Sequence, residues 1–267
     1  MKTLISILML CITFSILPNP LQAQDQNDQR YVVAEYMKVK PGMWDQYLAC
    51  EKVWKKIHAF RVEKGHIVGW ELEQVMLPSG TANEYDFLTL THFKNWDSMD
   101  QNGAWWEEAF ATLTDEEKEI ANAAEQYRDL IRREIWTAGD FAFRKDMDSN
   151  PKYRVENFMK LPPAGWSAWA SLESDFVKPV HEKNIEKGNR AGWVMGYMVY
   201  PRGANMEYDC STVDFYDSWE QMDNNEGEAW QEVYPDIKWD ELDQKIENTR
   251  TLVRTEVRMI TDYVWAE

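Results

Sequence analysis

Apolar residues in this chain recur with two periods, and the switch between them comes in the same order twice. Tyr31–Val39, YVVAEYMKV, has β-branched and aromatic residues at strand length and is closed by the turn residues Lys40, Pro41 and Gly42. From Met43 to Lys64 the period lengthens. Tyr47, Cys50, Val53 or Trp54, Ile57 and Phe60 fall three or four apart, and Gly65 stands where a helix would end. The segment from Ile67 to Leu77 is strand-like and stops at Pro78, Ser79 and Gly80; the segment from Tyr85 to Phe93 follows after a short polar loop, so the two predict a hairpin. Residues 95–128 are helical in composition, with breaks near Asn102 and Gly103 and again at Leu113 and Thr114, where Thr114 and Glu117 have the spacing of a capping box. Leu130 to Thr137 reads as a fourth strand. Residues 138–152, with Gly139, Asn150 and Pro151 among mixed charges, read as a linker.

The same succession then returns. EYDFLTLTHFKNWDSMD at residues 84–100 reappears as EYDCSTVDFYDSWEQMD at residues 207–223, keeping Glu84, Tyr85, Asp86, Thr89, Trp96, Met99 and Asp100 at a shift of 123. Residues 153–161 answer residues 31–39 at 122, and Gly188 and Trp193 answer Gly65 and Trp70 at 123. Arg250, Leu252, Arg254 and Glu256 answer Arg128, Leu130, Arg132 and Glu134 at 122. The helix expected from about Trp166 to Lys187 carries a one-residue insertion between Pro163 and His181. The chain is therefore read as an internal duplication, with repeats at 31–137 and 153–267. Each repeat runs strand, helix, strand, strand, helices, strand, the order of a ferredoxin-like split β-α-β unit in the α+β class. Helices cover one face of such a sheet. The other repeat is expected to cover the bare face, giving a barrel within one chain.

On that strand order and the duplicated EYD, Trp and Met positions, the chain resembles the dimeric α+β barrel superfamily. That superfamily includes small monooxygenases of antibiotic biosynthesis, NIPSNAP-like proteins and haem-handling enzymes; here it would be a tandem. The resemblance covers Tyr31 to Trp265 and implies a small ligand, lying between sheet and helices or inside the barrel. The family's haem-degrading members place a histidine with an asparagine and a tryptophan, and no matching motif can be laid on this sequence. Haem, with His58 or His181 as its axial ligand, is left open, and no other cofactor is expected.

Residues 1–23 read as a secretory signal peptide: Lys2, an apolar run from Leu4 to Leu17, then Pro18, Pro20 and Ala23. Residues 24–30 are a polar leader with nothing to bury. The mature chain is expected in the periplasm or outside the cell, without membrane insertion, since no later segment approaches the roughly 20 apolar residues a spanning helix needs. A formal charge of −17 argues against nucleic acid and anionic lipid as partners. A small molecule is the expected partner, and a homo-oligomer is left open. Cys50 and Cys210 do not correspond between repeats and are expected as buried free thiols. The four histidines show no metal-binding spacing, so no metal site is expected.

Candidate chemistry comes from polar residues that the patterning turns inward. Arg132 and Glu134 share one face of the fourth strand, and Arg254, Glu256 and Arg258 repeat the arrangement. A buried charge needs a partner, so each Arg and Glu two apart reads either as a self-contained ion pair or as a ligand clamp. Glu35 on the first strand is answered by Asn157. On the first helix Tyr47, Glu51, Trp54 and His58 fall on one face, as do Trp169, Glu173, Val177 and His181 in the second copy. Glu51 and His58 are about 10 Å apart along the axis, so only a shared ligand would join them. The candidate catalytic groups are Glu35, His58, Arg132 and Glu134 around one substrate, with Asn157, His181, Arg254 and Glu256 in the other half. Glu51, Trp54, Asn157 and Glu173 are the candidate ligand contacts. Trp70, Trp193, Trp96 and Trp219 are expected in the core. The reading is a small-molecule-binding protein without a firm catalytic signature; the alternatives are a cofactor-independent monooxygenase and a haem-binding protein.

Overall fold

The computed structural model describes residues 30–99, 103–145, 150–223 and 226–266. The expected signal peptide, the leader up to residue 29, Asp100, Asn102 and residues 146–149 of the expected linker lie outside them. The first half comprises β1 (Tyr31–Val39), α1 (Trp44–Glu63), β2 (Gly69–Leu77), β3 (Phe87–Phe93), a 3-10 turn (Asp97–Met99), α2 (Ala104–Ala111), α3 (Asp115–Asn122), α4 (Ala124–Tyr127) and β4 (Arg128–Phe143). The second comprises β5 (Tyr153–Lys160), α5 (Trp166–Ser171), a π-helical turn (Leu172–Val177), α6 (Lys178–Glu186), β6 (Gly192–Tyr200), β7 (Cys210–Tyr216), α7 (Trp219–Met222), α8 (Glu226–Val233), α9 (Trp239–Thr249) and β8 (Thr251–Trp265). All eight strands close into one antiparallel barrel in the order β1-β3-β2-β8-β5-β7-β6-β4. The capping box at Thr114 and Glu117 is formed as expected, each side chain meeting the other residue's backbone N–H.

Closure depends on the lengths of β4 and β8, 16 and 15 residues. β4 pairs with β1 from Val39↔Arg128 to Tyr31↔Thr137, then continues onto β6 of the other half as far as Phe143↔Gly192. β8 likewise lies beside β5 and then beside β2. Each sheet's open edge is thus covered by the overhang of the other half's last strand, which leaves no edge exposed. The tract expected to be a linker is therefore strand up to Phe143. Gly139, read as a linker glycine, lies within β4, where a Cβ would meet the Tyr197 ring at 2.3 Å.

The one-residue insertion has a visible place. Glu51 and Glu173 correspond at 122 and His58 and His181 at 123, and the π-helical turn Leu172–Val177 holds Glu173 and ends before His181. One wider turn absorbs the extra residue while both histidines stay over the sheet. The repeated EYD also has a physical role. Asp86 accepts hydrogen bonds from Val39 N and Lys38 Nζ, both at 3.0 Å, and Asp209 does the same with Leu161 N and Lys160 Nζ, again at 3.0 Å. The aspartate ties the start of one strand to the end of its neighbour.

Alternation sends Ala34, Tyr36, Leu88, Leu90, Trp136, Phe158 and Met198 into the barrel. The outer face packs under the helices, through Met37, Tyr47, Trp70, Leu72 and Phe87 in one half and Met159, Trp169, Trp193 and Met195 in the other. Trp70 and Trp193 are core, as expected. Trp96 and Trp219 are not: they are 44% and 46% exposed and cover the rings of Tyr31 and Tyr153 at the rim, with centroids 5.2 and 5.4 Å apart. Cys50 and Cys210 are free and buried, and burial pushes the Cys50 thiol up to about 12, which makes it a poor nucleophile.

The interior also holds charge, and one seam carries a connected network of it. Arg154 on β5 bonds Glu71 at 2.6 Å and Glu73 at 2.5 Å on β2, and Arg258 on β8 reaches Glu73 at 3.2 Å and Glu156. His92 Nε2 lies 3.3 Å from Glu71. At the corresponding places of the other seam stand Val194, Gly196, Val32, Ala34 and Trp136. The two seams have the same backbone and opposite chemistry.

Candidate functional site

A cavity of about 860 Å³ opens in the first half, between α1, α2 and the outer face of the sheet. Its chemistry follows from the helix period. Glu51, Trp54, His58 and Arg61 are three or four apart, share one face of α1 and all line the cavity. The sheet contributes Glu35, Thr89, Thr91, Trp70, Arg128 and Arg133. Trp105 and Trp106 come from α2, and Trp96 stands at the rim.

His58 stacks on Trp70, rings 5.1 Å apart and 12° from parallel, and Arg61 donates to its Nδ1 at 3.2 Å. Burial, then the Arg61 charge, hold the imidazole well below its usual range, so it is neutral with its proton on Nε2. The Arg61 guanidinium lies 4.2 Å from the Trp105 ring centre, a cation–π contact, and burial lowers it to about 10. Burial pushes the Glu51 carboxyl up to about 7 against the pull of Arg128, leaving a buried acid that titrates near neutrality. Glu35 accepts from Arg133 Nε at 2.8 Å and from Thr89 Oγ1 at 3.4 Å.

The expected grouping of Glu35, His58, Arg132 and Glu134 around one substrate does not occur. Arg133 faces the cavity, so alternation sends Arg132 and Glu134 through the sheet into the barrel. There Arg132 Nε meets Glu134 at 3.1 Å, and Glu134 accepts from the hydroxyls of Tyr36 at 2.7 Å and Tyr208 at 2.6 Å and from Trp136 Nε1 at 3.0 Å. Arg254 and Glu256 form the matching pair at 3.3 Å, with Tyr85 donating to Glu256. In the second half Asn157 faces outward and accepts from Thr255 Oγ1 at 2.8 Å, on the side of His181, while Arg254 and Glu256 lie inside. Of the other candidate contacts, Glu51 and Trp54 line the cavity, and Glu173 is paired with Arg250 at 3.1 Å.

The second half fills the equivalent space. His181 stacks on Trp193 at 4.7 Å and 18°, but Arg190, 1% exposed, donates to His181 Nδ1, Asp214, Glu226 and, at 3.3 Å, the Tyr216 hydroxyl. Arg190 and Asp214 stand where the first half has Ile67 and Thr91. The guanidinium therefore lies among the counterparts of the cavity residues His58, Thr91 and Phe93. The sequence reading missed Arg61, which sits one turn beyond His58 on the same helix face and was legible there. It also missed Arg190, which follows Gly188 in a turn and has no periodicity to mark it.

A haem iron takes an unprotonated histidine nitrogen, and the other ring nitrogen donates to an acceptor. His58 and His181 each meet a guanidinium donor at Nδ1, which leaves the proton on the nitrogen that would bind iron. This donor set does not fit an axial histidine. Among the described residues no group of three or more His, Cys, Asp or Glu is arranged to hold a metal ion, and no helix is long and apolar enough to cross a membrane.

No protein family and no curated protein matches the sequence. Solved structures do match in fold. The chain is similar to a "putative monooxygenase" from Fusobacterium nucleatum subsp. nucleatum ATCC 25586, at 8% identity over 89% of this chain and 94% of that one, with a TM-score of 0.53. It is similar to a "putative monooxygenase" from Lactobacillus acidophilus NCFM, at 7% identity over 90% and 97%, TM-score 0.51. It is also similar to a mutant chlorite dismutase from Candidatus Nitrospira defluvii in complex with cyanide, at 10% identity over 87% and 91%, TM-score 0.50. At these identities the likeness supports the α+β barrel fold and carries no activity with it.

Proposed function

We propose that the protein is an exported binding protein for a small, flat, largely apolar organic molecule, held in the cavity of the first half. In this reading the chain is a tandem of ferredoxin-like repeats, 31–137 and 153–267, behind a signal peptide, and it works in the periplasm or outside the cell. The shared strand orders β4-β1-β3-β2 and β8-β5-β7-β6 support the duplication. The observation that carries the binding role is the contrast between halves. A cavity of about 860 Å³ walled by Trp54, Trp70, Trp96, Trp105 and Trp106, with charged groups such as Glu51, Arg61 and Arg128 between them, lies where the other half places Arg190. That size and lining are those of a small-molecule site.

The test uses 1-anilinonaphthalene-8-sulfonate, an anionic probe with an apolar aromatic body. The full chain is expected to bind one equivalent and to quench its tryptophan emission. Ile67→Arg with Thr91→Asp, which installs the second half's plug, is expected to abolish binding, and Trp106→Ala to weaken it. Unchanged binding by both variants places the probe elsewhere and removes the reading. A Soret band on haem titration, lost in His58→Ala, would favour haem instead.

A second reading is a cofactor-independent monooxygenase, favoured by the Glu51 carboxyl near 7 and neutral His58 lining one cavity and by the monooxygenase names of two similar structures. In it Glu51 takes a proton from a bound phenolic hydroxyl, the substrate itself supplies the electrons that reduce dioxygen, and one oxygen atom enters the substrate while the other leaves as water. Oxygen uptake with an aromatic substrate that stops in both Glu51→Gln and His58→Ala would establish it.

A further inference from the structure

The two halves treat one pair of residues differently. In the second, Arg250 at the start of β8 meets Glu173 on the helix above it at 3.1 Å. The equivalent residues of the first half, Arg128 at the start of β4 and Glu51 on α1, both line the cavity, and no ion pair within 4.0 Å joins them among the described residues. Glu51 is 5% exposed, so its carboxyl meets the cavity rather than bulk water.

We infer that Glu51 and Arg128 are a divided pair that the ligand completes, and that the cavity takes a flat ring compound whose edge carries a hydrogen-bond acceptor beside an N–H donor, the lactam or ureide class. This rests on the cavity being a binding site. A guanidinium only donates, and the Glu51 carboxyl, ionised above about pH 7, then only accepts. A lactam edge answers both: its C=O accepts from Arg128 and its N–H donates to Glu51. A carboxylate ligand would suit Arg128 and meet Glu51 with like charge. A hydrocarbon would strip water from both groups and return nothing. The ring itself has its place against Trp54 and Trp106, whose centroids are 5.5 Å apart.

The test compares two isomers of equal bulk, 4-methyl-2-quinolone, which keeps the N–H, and 1-methyl-2-quinolone, which lacks it. Each is titrated into the full chain by calorimetry at pH 8, where Glu51 is ionised. The N–H isomer is expected to bind at least about tenfold tighter, the worth of one hydrogen bond to a charged group. Glu51→Leu is expected to erase that preference, and Arg128→Met to weaken both isomers alike while the preference stays. Equal affinity of the two isomers in the unmodified chain, with both excluded by Ile67→Arg/Thr91→Asp, overturns the inference and leaves the cavity as a binding site. Failure of both isomers and of anilinonaphthalene sulfonate to bind overturns the underlying reading as well. The isomer comparison decides the matter even where a variant does not fold.

Discussion

The first half leaves an acid apart from a bonded histidine and arginine around a cavity, and the second joins the same three kinds of residue into a closed network. His58 and His181 stack on equivalent tryptophans, Trp70 and Trp193, and each accepts a hydrogen bond from a guanidinium. The difference lies in where the guanidinium comes from. In the first half it is Arg61, on the helix itself, which leaves the floor at Thr91 uncovered. In the second half position 184 is Asn, and Arg190 enters from the turn before β6 to bond Asp214. A change of origin for one charged side chain decides whether the space is a pocket or a packed core.

The comparison breaks most sharply at Arg190. Arg190→Ala leaves Asp214 buried without its partner, and the expected loss is about 3–5 kcal/mol in urea unfolding. Arg190→Ile with Asp214→Thr copies the first half. It is expected to recover most of that loss and to open a second site, raising anilinonaphthalene sulfonate stoichiometry from one towards two; unchanged stoichiometry would mean that Arg190 does not set the difference.

Next in size is the pH dependence of Glu51. Its folded carboxyl, at about 7, lies above the ordinary 4.5, so the folded state binds the proton more tightly. That contribution is fully present below about pH 4.5 and drains away as pH rises through about 7, a loss of up to roughly 3 kcal/mol by pH 8. Glu51→Gln is expected to flatten the fall and to be more stable than the unmodified chain at pH 8, as read from thermal midpoints across pH. Glu173 is also raised to about 7, but its replacement by Gln costs Arg250 its partner, so a smaller gain or a loss is expected there. Smallest is the cap of α3. Thr114→Ala should cost about 1 kcal/mol, whereas the equivalent α9 begins at Lys238 with no side-chain cap, and Lys238→Ser should gain a fraction of that.

Much of the architecture could be read along the chain because it is local. The β1 and α1 periods, the Thr114 cap, the hairpin and the 122-to-123 shift that became a π-helical turn are all set within a few residues. What could not be read was the destination of each face. In an open sheet Glu71 and Glu73, alternating with Trp70 and Leu72, would face water; closure of the barrel buries both faces of β2, so these acids meet Arg154 and Arg258 from the other half. The same closure separated Arg132 and Glu134 from His58. Each strand's alternation was legible, but which side held the helices was not. Trp96 and Trp219 misled for a related reason: a recurring tryptophan marks a recurring contact, and here that contact is a ring at the rim.

The charged seam also sets which halves can marry. A pair of first halves from two molecules would bring β2 of one against β4 of the other, and Glu73 would find Trp136 where Arg258 now stands. A carboxylate sealed against indole is severely penalised, so first halves should not assemble with one another. Only the unlike partner supplies the guanidinium. The chain thus carries, in two arginines and three acids, a lock that selects its own remainder over a copy of itself.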